Sequence, residues 1–398
     1  MTPSQSGVAW LDGTQRFGVK LGLENTHRLL AAVGNPEKGL RFIHVAGTNG
    51  KGSTCAILDA ILRGAGFRCG LYTSPHLVDL RERFRVQGAM VSTEDLERIL
   101  NDLRSITASW SHSPTFFEIT TVAAIIYFFE QNVDFVVLET GMGGRLDATN
   151  VVTPVVSVIT RIGMDHQQWL GNSLAEIASE KAGIIKPHVP VVSAPQAADA
   201  AKVIAEAATR ASAELVLAPE LEQPLPSSLE GPHQRENAAV ALAALRTANI
   251  PLSDTEIRTG LAKVHWPGRF QRIGNLWLDG AHNPDGITAL CKTWINQRLP
   301  ERPIIVFGAL AEKGVQEMLD QLQELSDTIW LVPIQNTRAA NPTALAPLTK
   351  HEAKTWPKLK EALDTARQSN QPVLVTGSLY LIGEAMEHLG IKPFEAAD

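Results

Sequence analysis

Gly47-Thr48-Asn49-Gly50-Lys51-Gly52-Ser53 has the residue types that hold a nucleotide phosphate. Gly47, Gly50 and Gly52 let the backbone curl so that successive N–H groups point at one anion. Lys51 adds a full positive charge, and the hydroxyl of Ser53 or Thr54 can reach Mg²⁺. The strict P-loop pattern is broken twice: Val45 stands where its first glycine belongs, and Gly52 where a hydroxyl residue follows the lysine. The Gly-Lys-Gly-Ser ending still favours phosphate over an ordinary turn. An apolar run, Phe42–Ala46, precedes it and a helical pattern follows, so the helix N-terminus adds its partial positive charge.

Further along, Glu139-Thr140-Gly141-Met142-Gly143-Gly144-Arg145-Leu146-Asp147 follows an apolar run from Phe135. A carboxylate at the carboxyl end of a parallel strand sits where open α/β sheets bind ligands. Glu139 is therefore expected to hold Mg²⁺ beside the phosphates, the alternative being a turn cap. Asp165-His166 leaves the next run in the same way, and Thr73-Ser74-Pro75-His76 an earlier one. Ser179-Glu180-Lys181-Ala182-Gly183 reads by itself as ordinary solvated helix charge. Near the C-terminus, Asp279-Gly280-Ala281-His282-Asn283-Pro284 combines an acid suited to ribose hydroxyls with a histidine that can contact a nucleotide.

The elements that must position these groups alternate between apolar runs and amphipathic helical patterns. Strands are expected at Phe42–Ala46, Cys69–Thr73, Phe135–Glu139, Val155–Thr160 and Val189–Ser193, and again at Leu276–Asp279, Ile304–Phe307, Ile329–Val332 and Val373–Thr376. Helices are expected from Ser92, with Asp95 as a capping partner, and over Phe116–Glu130, Arg235–Ala248 and Ser253–Val264. Leu217–Pro232, rich in Pro, Glu and Ser, reads as a surface loop. This alternation predicts an α/β chain: a P-loop-type, mostly parallel sheet domain over 1–268, then a smaller Rossmann-like α/β domain over 269–398.

The 398 residues are more than one core usually serves. A net charge of −6 gives no general electrostatic pull toward nucleic acid or an anionic membrane. The first residues, Met1–Ser6, carry neither a basic nor an apolar leader segment, and no apolar run is long enough to span a bilayer. The three cysteines lack metal-ligand spacing. A cytoplasmic protein with reduced thiols is expected.

Taken in order, Gly47–Ser53, Thr73–Leu77, Glu139–Asn150, Asp165–His166 with Trp169-Leu170-Gly171, Glu180–Gly183, His233–Asn237, Pro267–Arg269 and Asp279–Pro284 resemble the folylpolyglutamate synthase/dihydrofolate synthase family of the Mur ligase superfamily. The resemblance implies an ATP-binding domain, a smaller glutamate-ligase domain and an active site in the cleft between them. It implies that ATP phosphorylates a carboxylate and that the amino group of glutamate attacks the acyl phosphate, the acid being dihydropteroate, a (poly)glutamylated tetrahydrofolate, or both.

Position by position, it makes Lys51, Lys181 and His282 catalytic. It assigns Gly47, Thr48, Asn49, Gly50, Lys51, Gly52, Ser53, Asn237, Arg269, Asp279 and His282 to ATP. Ser74, Glu139, His166 and a carbamylated Lys181 become ligands of two Mg²⁺ ions, and Arg83, Arg85 and Asp147 contact the folate-like acid. A monomer acting on small molecules, and on neither nucleic acid nor membrane, follows. The alternatives are a ligase of the same superfamily with a non-folate acid, and a P-loop NTPase that ligates nothing. A GTPase of the latter kind would carry an Asn-Lys-x-Asp run, and no Asn here is followed by Lys.

Overall fold

The computed structural model describes residues 6–17, 22–221, 226–351, 353–369 and 371–397. Two parallel-dominated sheets organise it. The first contains β1 (Phe42–Ala46), β2 (Cys69–Tyr72), β3 (Phe84–Val86), β4 (Ala89–Met90), β5 (Phe135–Glu139), β6 (Val156–Ile159), β7 (Val191–Ser193) and β8 (Leu215–Leu217), in the order β4-β3-β2-β5-β1-β6-β7-β8. Among the described residues its antiparallel pairings are β2 with β3 and β3 with β4, at one edge, so β3 alone runs against the others. The second contains β9 (Gln271–Ile273), β10 (Leu276–Asp279), β11 (Ile304–Phe307), β12 (Ile329–Leu331), β13 (Lys354–Thr355) and β14 (Val373–Thr376), in the order β13-β12-β11-β14-β10-β9. Its only antiparallel strand is the edge strand β9.

The central strands are mostly apolar because helices cover both faces of the sheet. Every residue of β1 and β5 is buried. On one face the helix Lys51–Gly64 packs with Pro232–Thr247 and Asp254–Ala262 around Ile57, Leu58, Ile61, Val240, Leu245 and Leu261. On the other lie Thr93–Thr107 and Phe116–Glu130. The expected cap forms: Ser92 accepts from the Asp95 N–H at 3.0 Å.

Register then assembles the site. Val45 lies opposite Glu139, and Ala46 opposite Ile159. The glycine loop, Glu139 and the segment after Ile159 therefore leave the sheet side by side. In the second sheet Asp279 and Phe307 both pair with Thr376, which puts the loops after β10 and β11 at one level.

Differences from the sequence reading fall at short edges. The strands β3, β4, β8, β9 and β13 have three residues or fewer and carry too little alternation to be recognised. β8 takes the first residue of the expected 217–232 loop, of which 222–225 lie outside the described residues, as do Met1–Gln5 of the expected leaderless N-terminus. The helix expected from Arg235 begins at Pro232, a residue suited to a first helical turn. No helix among the described residues is long and apolar enough to cross a membrane.

Candidate active site

The glycine loop passes from β1 into the helix Lys51–Gly64, whose N-cap is Gly50 at φ 88°. A Cβ there would overlap Asn237 Oδ1, so glycine is required by backbone and by space. The first intrahelical bond is Thr54 N–H to Gly50 O at 2.8 Å. The N–H groups of Lys51, Gly52 and Ser53 therefore have no helical acceptor. Thr48 and Asn49 are placed differently from the sequence expectation: both of their N–H groups donate to Arg161 O, at 3.0 and 3.1 Å. These two amides brace the loop, while both residues also line the site's cavity.

Two lysines converge on one carbonyl. Lys51 Nζ donates to Gly47 O at 3.0 Å and Thr48 O at 3.2 Å, and Lys181 Nζ donates to Gly47 O at 2.8 Å. Lys181, which reads as a surface charge in the sequence, is buried at the end of the helix Leu174–Ala182. Burial, reinforced by the Lys51 charge, pushes it down from 10.5 to about 7. Glu139 is also buried; its Oε2 accepts the Ser74 N–H at 3.0 Å, and burial raises its carboxyl above the usual range. Its Oε1 has no hydrogen-bond partner among the described residues.

Asp165 and His166 follow β6. His166 has φ 50°, a left-handed conformation uncommon for a residue with a side chain. Burial pushes its imidazole down to about 4. The Nε2 atom lies 3.2 Å from Lys313 Nζ. The ring is neutral near pH 7, so Nε2 accepts from the ammonium. Burial disfavours the Asp165 charge, but Lys313, His166 and His282 together hold its carboxyl well below the usual range.

The second sheet closes the cleft. Asp279, at the end of β10, accepts from Phe270 N–H at 2.8 Å and Ala281 N–H at 2.9 Å, while burial raises its carboxyl. Arg269 is half-buried near it, and desolvation lowers its pKa. His282 Nδ1 donates to Gly280 O at 2.8 Å, and burial, then Lys313, lowers the ring to about 4. Asn283 caps the helix Pro284–Asn296 and donates to Asn49 Oδ1 at 3.0 Å, tying the cap to the glycine loop. Asn237 Nδ2 donates to Gln234 Oε1 at 2.9 Å, and Gln234 Nε2 to Ser53 Oγ at 3.3 Å.

These groups line one cavity of about 430 Å³: Gly47–Ser53, Ser74, Glu139, His166, Lys181, Asn237, Arg269, Asp279 and His282. Arg83, Arg85 and Asp147 do not line it. Arg83 Nε donates to His76 Nδ1 at 3.0 Å, and its guanidinium lies 5.2 Å from the Phe116 ring centre. Arg85 lies 3.9 Å from the Phe394 ring centre and 4.9 Å from that of Trp266. Asp147 accepts from Thr149 N–H at 3.0 Å, Thr149 Oγ1 at 2.6 Å and Met142 N–H at 2.8 Å. As placed, all three brace loops.

The sequence reading missed Lys313. Its signal was available, since a Lys-Gly pair follows the β11 run at a strand end, but Ala-Glu-Lys-Gly reads as solvated turn.

Comparison with known proteins gives this geometry its context. Residues 45–218 match the Mur ligase middle domain, and 268–379 the glutamate ligase domain of Mur ligases. A Bacillus subtilis dihydrofolate synthase/folylpolyglutamate synthase is 37% identical over 98% of this chain and 99% of its own length. The chain belongs to the folylpolyglutamate synthase/dihydrofolate synthase family of Mur ligases. Within that family, the Escherichia coli FolC structure in complex with DHPP and ADP superposes with a TM-score of 0.87 at 32% identity, covering 97% of this chain and 98% of that one. A bifunctional folylpolyglutamate synthase/dihydrofolate synthase structure with Mn, AMPPNP and L-glutamate bound gives 0.88 at 32% identity, covering 98% and 100%.

Proposed function

We propose that this chain is an ATP-dependent ligase that joins L-glutamate to dihydropteroate, to (poly)glutamylated tetrahydrofolate, or to both, through an acyl phosphate. The observation that carries the reading is the convergence on one cavity of the glycine loop, Glu139 and Lys181 from the first sheet's side with Arg269, Asp279 and His282 from the second. Residues 1–268 form the ATP-binding domain and 269–398 the glutamate-ligase domain. The relatives' ligands, ADP with DHPP and AMPPNP with L-glutamate, suit those two sides.

Transfer of a phosphoryl group to a carboxylate brings negative charges together, so positioning and cationic shielding supply most of the catalysis. The free N–H groups of Lys51, Gly52 and Ser53 cradle the β- and γ-phosphates. Lys51 leaves the Gly47 and Thr48 carbonyls to follow the transferring group. Arg269 shields the phosphates, Asp279 holds the ribose hydroxyls, and His282 presents a neutral Nε2 to the nucleotide. Asn237 supports the loop from behind. The acid enters beside Ser74, where a small adjoining cavity is lined by Thr73, Pro75, Trp266 and Phe394. Arg83, Arg85 and Asp147 shape that entry by holding its loops.

Divalent cation fits the donors present: Glu139 Oε1 is unpartnered, Ser74 offers a hydroxyl, and both line the phosphate cavity. No group of three or more His, Cys, Asp or Glu side chains among the described residues is arranged to hold a metal. Phosphate oxygens of a bound nucleotide would complete such a donor set. Glu139 and Ser74 would hold one Mg²⁺, and carbamylated Lys181 a second, joined by His166 once its Nε2 leaves the Lys313 N–H; these ions would neutralise charge on the phosphates. Carbamylation suits Lys181, because a carbamate nitrogen keeps an N–H for Gly47 O while its carboxylate adds two oxygens. We place the enzyme in the cytoplasm as a monomer, with Cys55, Cys69 and Cys291 as free thiols.

The acyl phosphate is testable by isotope. A substrate labelled with ¹⁸O in its carboxylate should transfer one label to inorganic phosphate per turnover. Unlabelled phosphate, with ligation intact, would reject the intermediate.

A further inference from the structure

Asp165 lies in the loop that follows β6 of the first sheet, but its carboxylate is surrounded mainly by groups from the second sheet's domain. Lys313 Nζ lies 2.5 Å from Oδ1, Asn283 Nδ2 3.4 Å from Oδ2 and His282 Nε2 3.9 Å from Oδ2. Lys313 comes from the loop between β11 and the helix Val315–Leu325, and its side chain crosses the cleft to reach Asp165. The two side chains are 6% and 7% exposed. Removing an ammonium and a carboxylate from water costs several kcal/mol for each ion, and only close, well-paired geometry offsets that. The Lys313 ammonium also donates to His166 Nε2, so it binds two consecutive residues of the loop that follows β6. None of the phosphate-holding roles above uses Lys313, and it does not line the nucleotide cavity.

We propose that Lys313 is a cross-domain positioning residue. Its ion pair with Asp165 clasps the second domain onto the first, and the closed cleft keeps water from the acyl phosphate until glutamate attacks. The clasp suits this purpose because the pair is buried and therefore weakly screened by salt. It also bears directly on the segment that carries His166, so closure and alignment of that segment are one event. The consequence for the reaction rests on the ligase reading above; the clasp itself does not.

The experiment compares the full-length wild type with Lys313→Met, Lys313→Arg and the double variant Asp165→Asn/Lys313→Met. The first readout is small-angle scattering without substrates. Lys313→Met should increase the radius of gyration, and Lys313→Arg should restore it toward wild type. The second is the ratio of ADP released to glutamate ligated. In Lys313→Met water should intercept the acyl phosphate, raising the ratio ~3-fold or more, because closure no longer excludes it. The arginine variant should return the ratio toward one. If Lys313→Met leaves Asp165 unpaired and fails to fold, the double variant carries no stranded charge and should show the same expansion and leak. Unchanged scattering and an unchanged ratio in a folded Lys313→Met or double variant overturn the clasp. Expansion of Lys313→Met in a protein that ligates nothing supports the clasp and rejects the ligase reading separately.

Discussion

Activity should depend on dissolved CO₂ through Lys181. Carbamylation requires a neutral amine, which adds to CO₂ and releases a proton. At pH 7.5 an ordinary lysine is only ~0.1% neutral. With Lys181 pushed down to about 7 by burial and the Lys51 charge, the neutral fraction at that pH is about three quarters, a gain of roughly 10³. The sign follows from the lowered value. As pH falls from 8 to 6 the amine protonates, and its neutral fraction drops by about tenfold. Carbamate should fall in the same direction at fixed dissolved CO₂, since its formation consumes the neutral amine and releases a proton. The assay uses enzyme equilibrated with ¹³C-bicarbonate, observed by ¹³C NMR, alongside ligation rates in CO₂-stripped and replenished buffer. A carbamate resonance should appear near pH 8, fade toward pH 6 and be absent in Lys181→Met. Stripping should lower the wild-type rate, and bicarbonate should restore it. No resonance at any pH, together with a rate indifferent to bicarbonate, would refute the reasoning.

Two further outcomes follow. Lys51→Ala should cut turnover by ~10²-fold or more with the fold intact by circular dichroism, since the charge that shields the transferring group is lost; near-normal ligation would remove the loop from the chemistry. Glu139→Gln should raise the Mg²⁺ concentration needed for half-maximal rate, and more than His166→Ala does, because Glu139 Oε1 is unpartnered whereas His166 Nε2 already accepts from Lys313; unchanged midpoints in both variants would return these residues to structural roles.

Much of this site was legible because parallel strands bury both faces and read as continuous apolar runs. Phe42–Ala46 and Phe135–Glu139 were bounded correctly, and the residues leaving such strands must gather at one edge of the sheet. The same logic found Asp279 and His282. What stayed hidden depends on tertiary burial. Lys181 and Lys313 have the local sequence of solvated charges, and only packing between elements distant in sequence makes them interior lysines. Arg83 and Arg85 invite an anionic substrate by charge alone, yet their guanidinium groups lie over the aromatic rings of Phe116, Trp266 and Phe394. The Thr48 and Asn49 amides could not be assigned from the loop sequence, since their acceptor, Arg161 O, belongs to a different strand end.

The reaction proposed for this cleft is glutamate ligation to a pteroyl acid. The most direct test is ADP release by the purified protein with dihydropteroate and with tetrahydrofolate, each in the presence and absence of L-glutamate. ADP formation should require both acid and glutamate, with a mass increase of one glutamyl residue in the acid. If neither pteroyl acid supports glutamate-dependent ADP release, the folate assignment is contradicted.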